Sequence, residues 1–399
     1  MRKSAPMPWK KSEPMDQRLE FCWKAVRGGN FRALCREYGI SAKTGYKWQE
    51  RFLREGANGM VEESRRPRSH PESLREEELC RIVALKLAHP HWGPRKIREL
   101  YLRQQGKAAS ESSFKRVLER SGLTQKRRVR PASQSGRLCS GRTAQEPNQV
   151  WTVDFKGWWY SGLGRCEPLT VRDEHSRYLL ELRALENARS ATVQQHFERL
   201  FERYGLPESI RSDNGSPFAS RCAVHGLSRL SAWWVALGID LERGRPGHPQ
   251  DNGAHERLHR DISLELQCLG HIDQQSLELW RQEFNDQRPH QALGMRCPSE
   301  LYRHSTRPYR GGVQQLNYPR MITRRVNKNG RIYWAKHYLF VSSSLAGWSV
   351  GLQPTDQDQF EVWFARLLLG WLDPKTASFR RADLPATTAQ SDLKSPRGH

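Results

Sequence analysis

The chain has 399 residues, of which about 37% are hydrophobic, enough for several packed domains and too many for a globally disordered chain. Lys and Arg outnumber Asp and Glu by 66 to 43, a net charge of +23 that makes a polyanion the expected partner. No apolar run approaches the roughly 20 residues of a spanning helix, and the polar start "MRKSAPMPWKKSEP" lacks the apolar segment of a signal peptide, so the expected setting is intracellular, without a membrane.

In chain order, "FRALCREYGISAKTGYKWQERFLREG" predicts a short helix with Phe31, Leu34, Cys35 and Tyr38 apolar, a turn at Gly39, and a second helix capped by Ser41 with Trp48 and Phe52 inward. This is helix-turn-helix grammar. Lys43, Thr44, Tyr46 and Lys47 fall on the outer face of the second helix, either to read a major groove or as the solvated basic face of a helical hairpin. A second pair follows in "HWGPRKIRELYLRQQG" and "SESSFKRVLERSGL", with Pro94 in a first turn, Ser110 as a cap and Phe114, Val117 and Leu118 at helical spacing. Its Arg95, Lys96, Arg98, Lys115 and Arg116 are expected to point outward to phosphates. The two modules are assigned to 1–70 and 71–123, and 124–148, rich in Ser, Gly, Pro and Arg, to a basic linker.

Beyond the linker the periodicity changes. "VWTVDFKGWW" and "EPLTVRDEHSRYLLELRAL" predict three strands, "SATVQQHFERLFERYG" an amphipathic helix ended by Gly205, "SIRSDNGSPF" a fourth strand running into a turn, and a long helix starts near 251. Residues 149–305 are therefore expected to form a mixed α/β sheet core with trailing helices. Residues 306–375, with an Asn-Gly turn in "MITRRVNKNGRIYWAKHYLFVS", read as a small all-β barrel with Tyr333, Trp334 and Tyr338 in its core; 376–399 reads as a disordered tail.

Three acids stand out. Asp154 alternates with Val153 and Phe155 on the first core strand, Asp213 leaves the fourth strand at its carboxyl end, and Glu256 sits on the helix opened by Asp251-Asn252-Gly253. Each alone is ordinary: a strand Asp pairs with Arg, an Asp-Asn-Gly is turn chemistry, a helix Glu is solvated. Together, three hard oxygen ligands on separate elements suit Mg²⁺ or Mn²⁺, and two such ions could serve an in-line displacement at phosphorus. Asn214 and Asn252 are candidates to orient the acids or bound water, and Arg260 to hold DNA or to pair with Glu256. Asp173 is read instead as the cap of a strand-to-strand turn.

The segments "WTVDFKG", "DEHSRYLL", "YGLPESIRSDNGSPF", "RPGHPQDNGAHERLHR" and "FNDQRPHQALGMRCPSELY" together resemble the insertion-sequence transposases with a retroviral-integrase-type catalytic core. The resemblance implies an RNase H-like core, with Asp154, Asp213 and Glu256 as both catalytic triad and metal ligands. It further implies binding of terminal inverted repeats by the amino-terminal helices, strand cleavage and strand transfer on double-stranded DNA, an SH3-like carboxy-terminal barrel, a homo-oligomer on paired ends, and a bacterial cytoplasmic, nucleoid-associated setting. The His/Cys zinc module with which retroviral integrases begin is not expected, since the eight Cys show no zinc spacing.

Two rivals remain. "HERLH" at 255–259 matches the zinc-peptidase pattern, with His255 and His259 as ligands and Glu256 as base, though Ile262 breaks its extended form. A non-catalytic DNA-binding protein would explain the charge and the helices but not three acids on successive elements.

Overall fold

A computed structural model describes residues 14–62, 74–124 and 142–382, apart from 158, 162–163, 221–222, 245–252, 267–271 and 313–314. Most of the expected linker, 125–141, and most of the expected tail, 383–399, lie outside the described residues. The chain divides into two compact units between Leu74 and Arg75.

In the first unit, α1 (Pro14–Val26), α2 (Phe31–Glu37) and α3 (Ala42–Glu55) surround a core of Phe21, Cys22, Cys35, Trp48 and Met60. The Asn30 side chain accepts from the Ala33 amide at 3.1 Å and Ser41 Oγ from the Thr44 amide at 3.2 Å, so both helices of the expected pair are capped at their starts. Gly39, with φ +64, makes the turn between them. Gly45 lets α3 pack against α2: a Cβ there would lie 2.6 Å from Cys35 Sγ.

The second unit begins with α4 (Glu76–Ala88), α5 (Pro94–Gln105) and α6 (Glu111–Arg120), which bury Ile82, Trp92, Ile97, Tyr101, Phe114 and Leu118. These helices group with the sheet domain rather than standing apart from it. His89 Nδ1 meets Glu283 Oε1 at 3.0 Å, and Arg103 donates to the Met295 carbonyl at 3.1 Å and pairs with Glu300.

The sheet contains β1 (Val150–Phe155), β2 (Trp159–Ser161), β3 (Gly164–Asp173), β4 (Leu179–Leu185), β5 (Ser209–Ser212) and β6 (Asp240–Arg243), in the order β2-β3-β1-β5-β6 with β4 on β3. β1 is antiparallel to β3 and parallel to β5, so the sheet is mixed as expected; β2 is an added short strand that makes the predicted fourth strand the fifth. One face, with Trp151, Val153 and Ile210, packs on α7 (Ser190–Tyr204) and α8 (Arg229–Ala236). The other, with Leu179 and Leu182, packs on α9 (Gly253–Leu266) and α10 (Gln274–Asp286). Asp173 is buried at the turn after β3, where its carboxylate accepts from the amides of Asn148 (2.7 Å) and Ser176 (2.8 Å), as a turn cap should.

The carboxy-terminal region is all β. β7 (Ile322–Arg325), β10 (Ser349–Pro354), β11 (Phe360–Phe364), β12 (Leu367–Asp373) and β13 (Ser378–Arg381) form an antiparallel sheet, and β8 (Arg331–Trp334) pairs with β9 (His337–Phe340). The Asn-Gly turn lies between β7 and β8 as expected, but the strands it joins take other partners: β7 pairs with β10, while β8 turns back on β9 through Ala335 and Lys336, whose φ values of +44 and +67 suit a tight two-residue turn. Two expectations are corrected here. Ser378–Arg381, assigned to the tail, forms β13 because its backbone completes the edge of β12. Tyr333 and Tyr338, assigned to the core, are 52% and 61% exposed, since the alternation places Ile332 and Leu339 inward instead.

Candidate active site

β1 and β5 run side by side with Val150 opposite Ser209 and Thr152 opposite Arg211. Both pairs are 59 positions apart, and so are Asp154 and Asp213 (213 − 154 = 209 − 150), so the two acids leave the carboxyl ends of neighbouring strands level with each other. Asp154 alternates with Val153, which belongs to the α7 and α8 face, so its side chain projects to the face covered by α9. Glu256 lies in the first turn of α9 and is exposed.

The electrostatics register this convergence. Burial first, then the Asp213 charge, with a smaller push from Glu256, raise the Asp154 carboxyl to about 7 against a backbone hydrogen bond at Phe155. Among the described residues, no three His, Cys, Asp or Glu side chains gather closely enough to hold a metal ion. The acids thus stand near enough to repel one another without closing on one point. As donors they fit a hard divalent cation, since they offer carboxylate oxygens from three elements.

The turn carrying Asp213 is held by residues that sequence reasoning passed over. Arg243, at the end of β6 opposite Ser212, donates to Ser212 Oγ at 2.7 Å, to the Asp213 carbonyl at 3.3 Å and to the Phe218 carbonyl at 2.7 Å. Burial lowers its guanidinium to about 10, with Asp213 opposing. Asn214 Nδ2 donates to the Gly244 carbonyl at 2.8 Å, which ties the same turn to the β6 end. A Cβ at Gly215 would lie 2.8 Å from Asp213 Oδ2, so the glycine leaves room for the carboxylate. Arg243 could have been suspected only from its place at the end of a parallel neighbour. Asn252 lies outside the described residues.

The HERLH histidines face the sheet. His255 is fully buried, and His259 Nε2 lies 2.9 Å from Thr170 Oγ1, which itself donates to the Asp154 carbonyl at 2.9 Å. The His259 ring is thus engaged with Thr170 on β3. Burial, then Lys156 and Arg172, lowers His259 to about 4. Glu256 is exposed while both histidines point inward, an arrangement that fits α9 docking on β3 and not a peptidase site.

Of the expected DNA-facing residues, Lys43, Tyr46 and Lys47 are exposed on α3, with Tyr46 stacked on Phe31 at 4.3 Å, and Thr44 is half-buried beside Ser41. Arg95, Lys115, Arg116 and Arg260 are exposed, Arg95 in a 2.6 Å pair with Glu111. Lys96 and Arg98 do not point outward as expected. Arg98 Nε donates to the Ala109 carbonyl at 2.7 Å, and Lys96 is half-buried beside the Arg288 charge, burial and that charge lowering it to about 8. The helices that cover this side of α5 claim its inner basic groups.

Comparison with known proteins agrees with this architecture. Residues 144–249 and 237–298 match two family models described as integrase core domain, and residues 44–118 match a homeodomain-like domain. The chain is 27% identical over 237 residues to the insertion element IS407 uncharacterized 31.7 kDa protein of Burkholderia multivorans, covering 58% of this chain and 82% of that protein. It is 25% identical over 227 residues to the insertion element IS476 uncharacterized 39.2 kDa protein of Xanthomonas euvesicatoria, covering 56% of this chain and 63% of that one. The catalytic core domain of BIV integrase aligns at 23% identity with a TM-score of 0.31, over 39% of this chain and 93% of that domain. The chain is thus recognised as resembling the insertion-sequence transposases with a retroviral-integrase-type core, and residues 144–298 are the part that matches the integrase core domain.

Proposed function

We propose that this protein is a DNA transposase that binds the terminal inverted repeats of a mobile element and carries out Mg²⁺-dependent strand cleavage and strand transfer by in-line phosphodiester displacement. The observation that carries the reading is the Asp154 carboxyl, raised to about 7 by burial and by the charges of Asp213 and Glu256. Perturbed carboxylates of this kind cluster where a reaction or a cation needs them. Asp154, Asp213 and Glu256 would hold two Mg²⁺ or Mn²⁺ ions. Such ions would supply Lewis-acid activation of a water or 3′-hydroxyl and charge neutralisation at the leaving oxygen.

The chain's own residues do the placing. Asp154 is held by the β1 backbone, Asp213 by the turn that Arg243 and Asn214 pin to β6, and Glu256 by the seat of α9 on β3. Arg260, one turn beyond Glu256, is available to a DNA phosphate, as are Lys43 and Lys47 on α3 and Arg95, Lys115 and Arg116 in the second module. Joining two element ends to a target requires more than one such site, hence a homo-oligomer on paired ends, in the bacterial cytoplasm in association with the nucleoid. The insertion-element relatives support this setting.

A strand-transfer assay on a 3′-labelled element end tests the reading, with Mg²⁺, Zn²⁺ and chelator compared. Product is expected with Mg²⁺ and in none of Asp154→Asn, Asp213→Asn or Glu256→Gln. Binding of the end without any Mg²⁺-dependent nicking would leave only a DNA-binding protein.

A further inference from the structure

The rotation of α9 about its axis decides where the Glu256 carboxylate goes. On a helix whose side chains reach roughly 5–6 Å from the axis, a turn of about 10° displaces a carboxylate by about 1 Å, a distance that matters to metal ligation. Something must therefore hold the helix against rolling on the sheet. His255 and His259 seat one side on β3. On another side, Asp261 and Glu265, one turn apart, grip a single guanidinium: Arg288 Nη2 meets Asp261 Oδ2 at 2.9 Å and Nη1 meets Glu265 Oε2 at 2.8 Å.

This fork is built into the interior. Arg288 is 3% exposed, and Trp280 Nε1 donates to the same Glu265 Oε2 at 2.8 Å. The rings of Phe284, Trp92 and Trp280 lie 5.6, 5.8 and 6.0 Å from the Arg288 Cζ, which closes the guanidinium between the α4–α5 connection and α10. Burying such a cluster of charges costs desolvation that apolar side chains of similar size would avoid, so stability alone gives little reason for it. A planar fork with two fixed acceptors does what apolar packing does not: it specifies rotation and register.

We propose that Arg288, in "FNDQRPHQAL", is a positioning residue for Glu256: its two-pronged hold on Asp261 and Glu265 sets the rotation of α9 and thereby the place of the Glu256 carboxylate beside Asp154 and Asp213. The inference rests on the reading of Glu256 as a metal ligand.

Mn²⁺ binding to the full chain, measured by calorimetry without DNA, tests both and separates them. Glu256→Gln and Arg288→Lys, which keeps the charge but not the fork, are each expected to weaken Mn²⁺ binding about tenfold, with the circular dichroism of the wild type. The double variant should bind no more weakly than Glu256→Gln alone, because the fork acts through that carboxylate. If Glu256→Gln binds like wild type, the ligand reading fails and the inference with it. If Glu256→Gln weakens binding while folded Arg288→Lys does not, or if the two losses add, Arg288 is merely structural and the inference alone is overturned. Should Arg288→Lys not fold, Asp261→Asn removes one prong and faces the same criteria.

Discussion

The two helical pairs are written in the same local grammar and end in different surroundings. Ser41 caps α3 and Ser110 caps α6, each carrying basic residues in its first turns, yet Lys43 and Lys47 on α3 are exposed while Lys96 and Arg98 on α5 turn toward protein. In the first unit α1, α2 and the turn at Gly56–Met60 pack on the inner side of α3, and Lys43 and Lys47 on its other side are exposed. In the second, α9 and α10 bring Arg288 and its acids against α5, and the same kind of side chain becomes an internal partner. A basic helical face therefore records a surplus of charge and not its address.

The largest effect expected would separate chemistry from both pairs. Asp154→Asn, Asp213→Asn or Glu256→Gln should each reduce Mg²⁺-dependent nicking to background while end binding, measured by gel shift, stays within about twofold; joint loss of binding would mean that the acids and the helices are not separable.

Next comes pH. A folded-state carboxyl raised from 3.8 to about 7 contributes stability below its unfolded value and loses it as pH rises to about 7. Without Mg²⁺, Asp154→Asn should therefore raise the melting temperature more at pH 8 than at pH 5, and added Mg²⁺ should shrink the difference at pH 8. Equal gains at both values would mean that Asp154 is already ionised in the folded protein.

Gly45→Ala probes the first pair alone: with a Cβ 2.6 Å from Cys35 Sγ, the first unit should lose about 1–3 kcal/mol in thermal unfolding. The comparison itself is sharpened by two lysines. Lys43→Ala should lower the salt slope of DNA binding by about 1, whereas Lys96→Ala should leave that slope unchanged. Equal slopes would erase the distinction between the pairs. Smallest of all, Arg95→Ala removes an exposed pair with Glu111 and should change stability by under about 1 kcal/mol.

Much of the architecture was legible because short-range patterns carried it. The Ser41 and Ser110 caps, the alternation around Asp154, the amphipathic α7 and the turn at Asp173 are all set by neighbours within a few positions. The strand pairing of the carboxy-terminal region was not legible for a complementary reason. Asn329-Gly330 is a good turn, but a turn does not choose the strands that pair across it, and β10, more than twenty positions on, took β7. Tyr333 and Tyr338 were placed inward on aromatic content, although alternation with Ile332 and Leu339 gave the better sign.

The candidate site divides the same way. Residue type, strand end and helix start were enough to nominate Asp154, Asp213 and Glu256, since acids in these settings have a definite chemistry whatever surrounds them. Arg243, Thr170 and Arg288 could not be nominated, because their roles consist of contacts with residues 31, 16, 27 and 23 positions away. What the chain's order determined by itself was local: helix ends, strand faces, charge, and which side chains can bind a hard cation. What only the tertiary structure decided was which charges meet, since hydrogen bonds and Coulomb forces act over ångströms in space and are blind to distance along the chain.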